Sequence, residues 1–217
     1  MKGISQTERL REQELNRGDP ATLLQNMWFT MSRRPDVWNK LQGEVATLDG
    51  QKPSFEQLKN LKYLQAIMNE VLRLWPPAPL HGRIAVHDTI LPRGGGPDGS
   101  SPLFVPKDMK ISWNLQTYHR QRDKRGEDAE EFKPERWIGE KAMRFGWHYL
   151  AFSGGPRICL GQQYALTEAG YVTVRLCQEF EGIEFRGTEL EWKEKNRLVT
   201  SHCDGAIVSL RCRERSG

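Results

Sequence analysis

Apolar runs are short throughout the 217 residues, and none approaches the ~18 residues that span a bilayer, so the chain is expected to carry no membrane anchor of its own. Cysteine is scarce as well. The four present, Cys159, Cys177, Cys203 and Cys212, form no CxxC or similar zinc spacing, and no secretory signal precedes them. Neither structural zinc nor a disulfide framework is expected, and the thiols read as reduced, on the cytosolic side. Neither sign of charge prevails: 32 basic against 28 acidic residues leave a net charge of +4, too even a mixture to call for nucleic-acid binding. Hydrophobic residues are few, at 37% with a mean hydropathy of −0.68, which fits a surface large relative to its core, as in part of a larger domain. Repeats and low-complexity tracts are missing too, which leaves one domain or two small ones.

What is present begins as helix. Residues 1–20, rich in Arg, Glu and Gln, predict a poorly ordered segment, with the folded part over 21–217. From Ala21 apolar residues recur at helical spacing through Leu23, Leu24, Met27, Trp28 and Met31, and Pro35 opens a second helix carrying Val37, Trp38, Leu41 and Val45. Ser54 with Gln57 has the form of a capping box. Phe55, Leu58, Leu61, Leu64, Met68, Val71, Leu72 and Trp75 then predict one helix, ended by Pro76, Pro77 and Pro79. Short, partly alternating stretches from Arg83 to Leu91 and from Leu103 to Leu115 flank a turn-forming run, Gly94 to Ser101, and predict strands. The irregular connection from Glu127 to Tyr149 has the character of an ordered loop serving a site. Gly161 to Phe180 predicts a long helix, and Leu198 to Cys203 with Ala206 to Arg211, joined at Asp204 and Gly205, predict a terminal hairpin. The fold class implied is mainly α with small β-sheets.

Between the irregular connection and the long helix lies FSGGPRICLG, Phe152 to Gly161. Gly154, Gly155 and Gly161 free the backbone for tight turns and close approach, which lets amide N–H groups face the sulfur of Cys159. The start of the next helix and the guanidinium of Arg157 add positive potential, and together these favour thiolate over thiol. A stabilised thiolate with no resolving partner suggests iron ligation, which makes Cys159 the candidate metal ligand. A merely structural cysteine would explain neither the arginine nor the spacing. Elsewhere, Glu70 and Arg73 stand three apart on one helix among apolar Val71, Leu72 and Leu74, so a partly buried ion pair in need of a further partner is expected.

Phe152, Gly155, Arg157, Cys159 and Gly161 resemble, position by position, the heme-binding signature of cytochrome P450 enzymes. The resemblance runs from about Ala21 to the C-terminus. Its finer matches, LPRGGG (Leu91 to Gly96), SPLFVPK (Ser101 to Lys107), DAEEFKPERW (Asp128 to Trp137) and GQQYALTEAGYVTVRL (Gly161 to Leu176), look like the fungal and yeast members that hydroxylate n-alkanes and fatty acids. The resemblance implies the C-terminal half of the cytochrome P450 fold. It also makes Cys159 the iron ligand of heme b, with Arg157 and Arg83 reaching the heme propionates, Phe152 shielding the thiolate, and Gly155 and Gly161 completing the cofactor loop. Glu70, Arg73 and Arg136 would form a buried triad that locks this loop in place.

The implied activity is a monooxygenase that inserts one oxygen atom from O2 into a small lipophilic, aliphatic substrate. Electrons would come from NADPH through NADPH-cytochrome P450 reductase, at the cytosolic face of the endoplasmic reticulum membrane, to which complete members are held by an N-terminal anchor. Lys141, Arg144 and the cluster Arg120, Arg122, Lys124 and Arg125 are candidate docking points for an acidic reductase face. Substrate contacts would come from Ala78 to Gly82 and from Ser201 to Gly205. On the distal side the family's acid-threonine pair aligns with Arg17, Gly18, Asp19 and Pro20, where no such pair stands. No distal catalytic residue is identified, and Asp19 reads as a helix cap. Two other readings remain: a truncated, catalytically inactive heme-binding remnant or interaction module, and a heme-thiolate peroxygenase that would need a distal acid-base group.

Overall fold

Apolar residues at helical spacing draw the long helices into one core. The structure is a computed structural model and describes residues 20–139, 146–189, 191–196 and 199–213. Helix α1 (20–31) includes Pro20 as a helical residue, and α2 (Pro35–Ala46) begins with proline, whose missing N–H is no loss in a first turn. Leu23 and Met27 of α1 are buried with Trp38 and Leu41 of α2. Leu64, Ile67 and Val71 of α4 (Lys62–Leu74) and Val174 of α7 (Gln162–Glu179) close the same cluster. No described helix is long and apolar enough to cross a membrane.

The single helix expected from Ser54 to Trp75 is two. Ser54 and Gln57 do form a capping box on α3 (Phe55–Asn60), but Leu61 takes φ −73° and ψ 89°, which ends the first helix and leaves the next without a side-chain cap from its own N-cap residue. Glu44, on α2, supplies it. Its carboxylate accepts from the Tyr63 N–H at 2.8 Å and the Leu64 N–H at 2.9 Å, satisfying donors that would otherwise be orphaned and placing negative charge at the positive helix end.

After Trp75 the chain makes four small antiparallel sheets of two strands each among the described residues. They pair β1 (Leu80–Ile84) with β4 (Lys110–Asn114), β2 (Thr89–Gly95) with β3 (Ser101–Val105), β5 (Phe180–Phe185) with β8 (Val208–Cys212), and β6 (Glu194–Asn196) with β7 (Thr200–His202). The stretch expected as one strand from Arg83 to Leu91 is thus divided between two sheets. The expected terminal hairpin is also absent. The turn at Asp204 and Gly205 exists, with Gly205 at φ 74°, but the strands it joins pair elsewhere, β7 with β6 and β8 with β5. Burial explains the choice: Ile183 of β5 joins the core with Val208 and Leu210 of β8 packed against it, whereas a local β7–β8 ladder would bury neither. Short helices α5 (Leu115–His119) and α6 (Arg122–Arg125) follow β4, and single 3-10 turns cover Pro134–Trp137, Gly146–His148 and Gly155–Arg157. Expectations for Lys141 and Arg144, and for Arg17 to Asp19, fall outside the described residues.

Candidate functional site

Glu70 and Arg73 are wholly buried on α4, where an isolated charge would be costly. The site begins with how they are satisfied. The Arg73 guanidinium forks onto the Glu70 carboxylate through Nε at 2.8 Å and Nη2 at 2.9 Å. Its other donors reach the backbone carbonyls of His119, Ala129 and Glu131 at 3.2, 2.6 and 3.0 Å. Arg136 Nε donates to the other side of Glu70 at 2.9 Å and Nη2 donates to the Asp128 carbonyl at 2.9 Å. The Lys133 N–H and the Trp137 indole N–H complete the shell of Glu70, each at 2.9 Å. Every donor finds an oxygen, the condition under which a buried ion pair is tolerated.

Two paths lead from this cluster to the cysteine loop. Trp137, held by Glu70, meets the Tyr149 ring at 4.8 Å between centroids and a 67° tilt, and Tyr149 donates to the Asn69 carbonyl at 3.3 Å. Burial, with the Glu70 charge nearby, raises the Tyr149 phenol well above its ordinary value, so it stays a donor. The second path runs through His119. Its Nε2 accepts from the Leu150 N–H at 2.9 Å, and its Nδ1 donates to the Arg73 carbonyl at 3.3 Å. Those two bonds fix a neutral tautomer. Burial first, then the neighbouring Arg125 charge, pushes the imidazole down to about 4. Neither His119 nor Tyr149 stands in a recognisable motif; a lone histidine in Tyr-His-Arg was the only sign.

The loop itself folds back by a short set of backbone bonds: Ser153 N–H to the Leu150 carbonyl at 2.8 Å, Ile158 N–H to Gly155 at 3.1 Å, and Cys159 N–H to Phe152 at 2.9 Å. Two glycines are demanded for different reasons. Gly155 has φ 67°, which side chains rarely adopt, and at Gly154 a Cβ would come within 2.7 Å of the Trp147 ring. Gly161, the N-cap of α7, has ordinary helical backbone but lies against the sulfur, where an added Cβ would sit 3.8 Å from Cys159 Sγ. Among the described residues no hydrogen bond reaches that sulfur; Cys159 is exposed. Of the loop amides, those of Ser153, Ile158 and Cys159 itself are taken up by carbonyls within the loop.

Cys159 opens onto a cavity of about 490 Å³ whose lining includes Leu23, Ala78, His81, Phe152, Arg157 and Tyr164. Phe152 therefore does stand beside the cysteine, while none of Ser201 to Gly205 lines the cavity and His202 is buried under the Phe29 ring at 4.3 Å. His81, within the Ala78 to Gly82 segment expected to contact substrate, is held below its ordinary value by burial first and by Arg83. Arg83, on β1, lies 5.5 Å over the Trp113 ring and donates to the Gly82 carbonyl at 2.8 Å. It shares with Arg157 an adjoining recess of about 540 Å³ that also includes Gly82, Ile84 and Lys110. The donor set fits a metal that brings its own in-plane ligands: among the described residues no group of three or more His, Cys, Asp or Glu is placed to hold a bare ion, whereas a heme iron needs one thiolate here. An apolar wall with cations at one end likewise suits a flat macrocycle ending in carboxylates.

The basic cluster is less available than its sequence suggests. Arg125 is buried and donates to the carbonyls of His119 and His148, and Arg120 donates to the Leu74 carbonyl at 2.7 Å beside Glu130. Arg122 and Lys124 remain exposed, each near an acidic neighbour.

A family model for cytochrome P450 matches residues 21–207. Among curated proteins, the chain is 48% identical over 210 residues to cytochrome P450 monooxygenase himC of Aspergillus japonicus, covering 94% of this chain and 37% of that protein. It is 44% identical over 212 residues to cytochrome P450 52A3-A of Candida maltosa, covering 92% and 40%. Among solved structures, a cytochrome P450, CYP102L1, superimposes with a TM-score of 0.76 at 31% identity, covering 90% of this chain and 42% of that one. The chain thus spans about two fifths of the length of these relatives.

Proposed function

The chain belongs to the cytochrome P450 family, and from that premise we propose that residues 21–217 are the C-terminal part of the heme domain of a monooxygenase acting on an aliphatic substrate such as an n-alkane or fatty acid. The observation that carries the reading is Cys159 at the mouth of an apolar cavity, with Arg157 in its lining, Arg83 in the adjoining recess and no competing metal cluster among the described residues.

In this reading Cys159 Sγ is the protein group that would hold the heme iron. Heme held there would supply an iron able to activate dioxygen, made electron-rich by the Cys159 thiolate. Arg83 and Arg157 bind the propionates, where guanidinium forks match carboxylate geometry. Phe152 and Leu23 exclude water from the apolar wall. Glu70, Arg73 and Arg136 act at a distance: through Trp137, Tyr149 and His119 they hold the Leu150 end of the loop, and so the reach of Cys159. The aliphatic substrate enters this proposal through the likeness of LPRGGG, SPLFVPK and the α7 sequence to alkane- and fatty-acid-hydroxylating members, and through the apolar lining at Ala78 and Leu23. Electron supply from NADPH through a reductase belongs to the same proposal, with Arg122 and Lys124 as the exposed cations on offer for docking.

The test is reconstitution of the chain with heme, reductase, NADPH and a long-chain fatty acid, with products followed by mass spectrometry. Hydroxylated product that needs NADPH supports the monooxygenase. Bound heme without product supports the inactive remnant, and product from peroxide alone supports a peroxygenase.

A further inference from the structure

Three cationic residues line the recess beside the cysteine cavity, and only two have been given a task. Lys110 of β4 stands opposite Ile84 of β1, next to Gly82. A Cβ added at Gly82 would come 3.2 Å from Lys110 Cε, so the lysine stem lies across the bare glycine, along the sheet. Lys110 lines the same recess as Arg83 and Arg157. Arg157 lines both this recess and the cavity holding Cys159, so the two adjoin. Among the described residues no carboxylate is within ion-pair distance of any of the three cations. Like charges gathered without a counter-ion repel one another, and an anion placed among them relieves the repulsion.

We infer that Lys110 is a third cofactor-binding cation of this chain, holding a heme propionate together with Arg83 and Arg157. The inference rests on the heme reading and goes beyond it in the residue it assigns. Two arginine forks give direction to the carboxylates. The lysine adds a compact, mobile charge that follows whichever propionate oxygen the forks leave free.

The experiment compares Lys110→Gln and Lys110→Arg with the unsubstituted chain, titrating each with ferric heme and with heme dimethyl ester, whose carboxylates are blocked, and following absorbance and tryptophan quenching. Lys110 is exposed, so circular dichroism is expected to be unchanged. Lys110→Gln is expected to weaken heme binding by roughly three- to tenfold, the range of one charge-assisted contact near the surface, and Lys110→Arg to restore it. All three proteins are expected to bind the ester alike. Equal heme affinity for Lys110→Gln and the unsubstituted chain overturns the inference, as does an equal loss toward the ester. Cys159→Ser, run in parallel, separates this from the premise: heme binding that never depends on Cys159 overturns the heme reading, and the lysine assignment falls with it.

Discussion

Glu70 accepts five hydrogen bonds from four residues, and two of those residues are buried arginines. Glu70→Ala would strand both guanidinium charges, a loss of about 3–5 kcal/mol. Urea denaturation is expected to show that loss together with weakened heme retention; normal retention would separate the cluster from the loop. His119 predicts a pH dependence. Above pH 6.5 its imidazole is neutral in the folded and the unfolded chain alike. Between 6.5 and about 4 only the unfolded chain takes the proton, so acid favours unfolding, and below that range both are protonated and the slope from this group ends. The stability lost across that window is about 3 kcal/mol at ~1.4 kcal/mol per unit. His119→Gln keeps an acceptor for the Leu150 N–H but cannot titrate, so its stability is expected to fall less between pH 6.5 and 4, as read by denaturation at stepped pH. The sequence pointed to Glu70 and Arg73 as an ion pair because helical spacing and apolar neighbours are local properties. It was silent on His119 and Tyr149, whose roles come from bonds to residues 31 and 80 positions away.

The same division between local and distant causes governs the elements. The capping box at Ser54 and the proline start of α2 were readable because each device lies within four residues. The break at Leu61 was not, because the cap that makes a separate α4 worthwhile comes from Glu44 on another helix. Glu44→Ala is expected to cost about 1–2 kcal/mol, the range for a lost helix cap, measured as a lower urea midpoint at unchanged slope. The strand pairings were misread for a related reason. Asp204 and Gly205 favour a turn, but burial of β8 against β5 decides the partner. That pairing is reinforced from α2, where the Trp38 indole and the Gln42 amide donate to the carbonyls of Glu181 and Phe180 at 3.1 and 2.9 Å.

Across the whole molecule the apolar surface is uneven. Leu160 is 99% exposed and Tyr164 68% beside the cysteine, while Leu80, Ile84 and Val86 are exposed along β1 and after it. Surface of this kind promotes association, so light scattering is expected to report species heavier than the 25.1 kDa monomer. Binding of a hydrophobic reporter dye is expected to fall when heme occupies the cavity. The central claim is that Cys159 is the thiolate ligand of a heme seated in that cavity. Its most direct test is the absorbance spectrum of the heme-titrated chain, reduced under carbon monoxide, recorded beside Cys159→Ser. The predicted result is a saturable thiolate-type band that the substitution abolishes. No such band, or one that Cys159→Ser leaves unchanged, would contradict it.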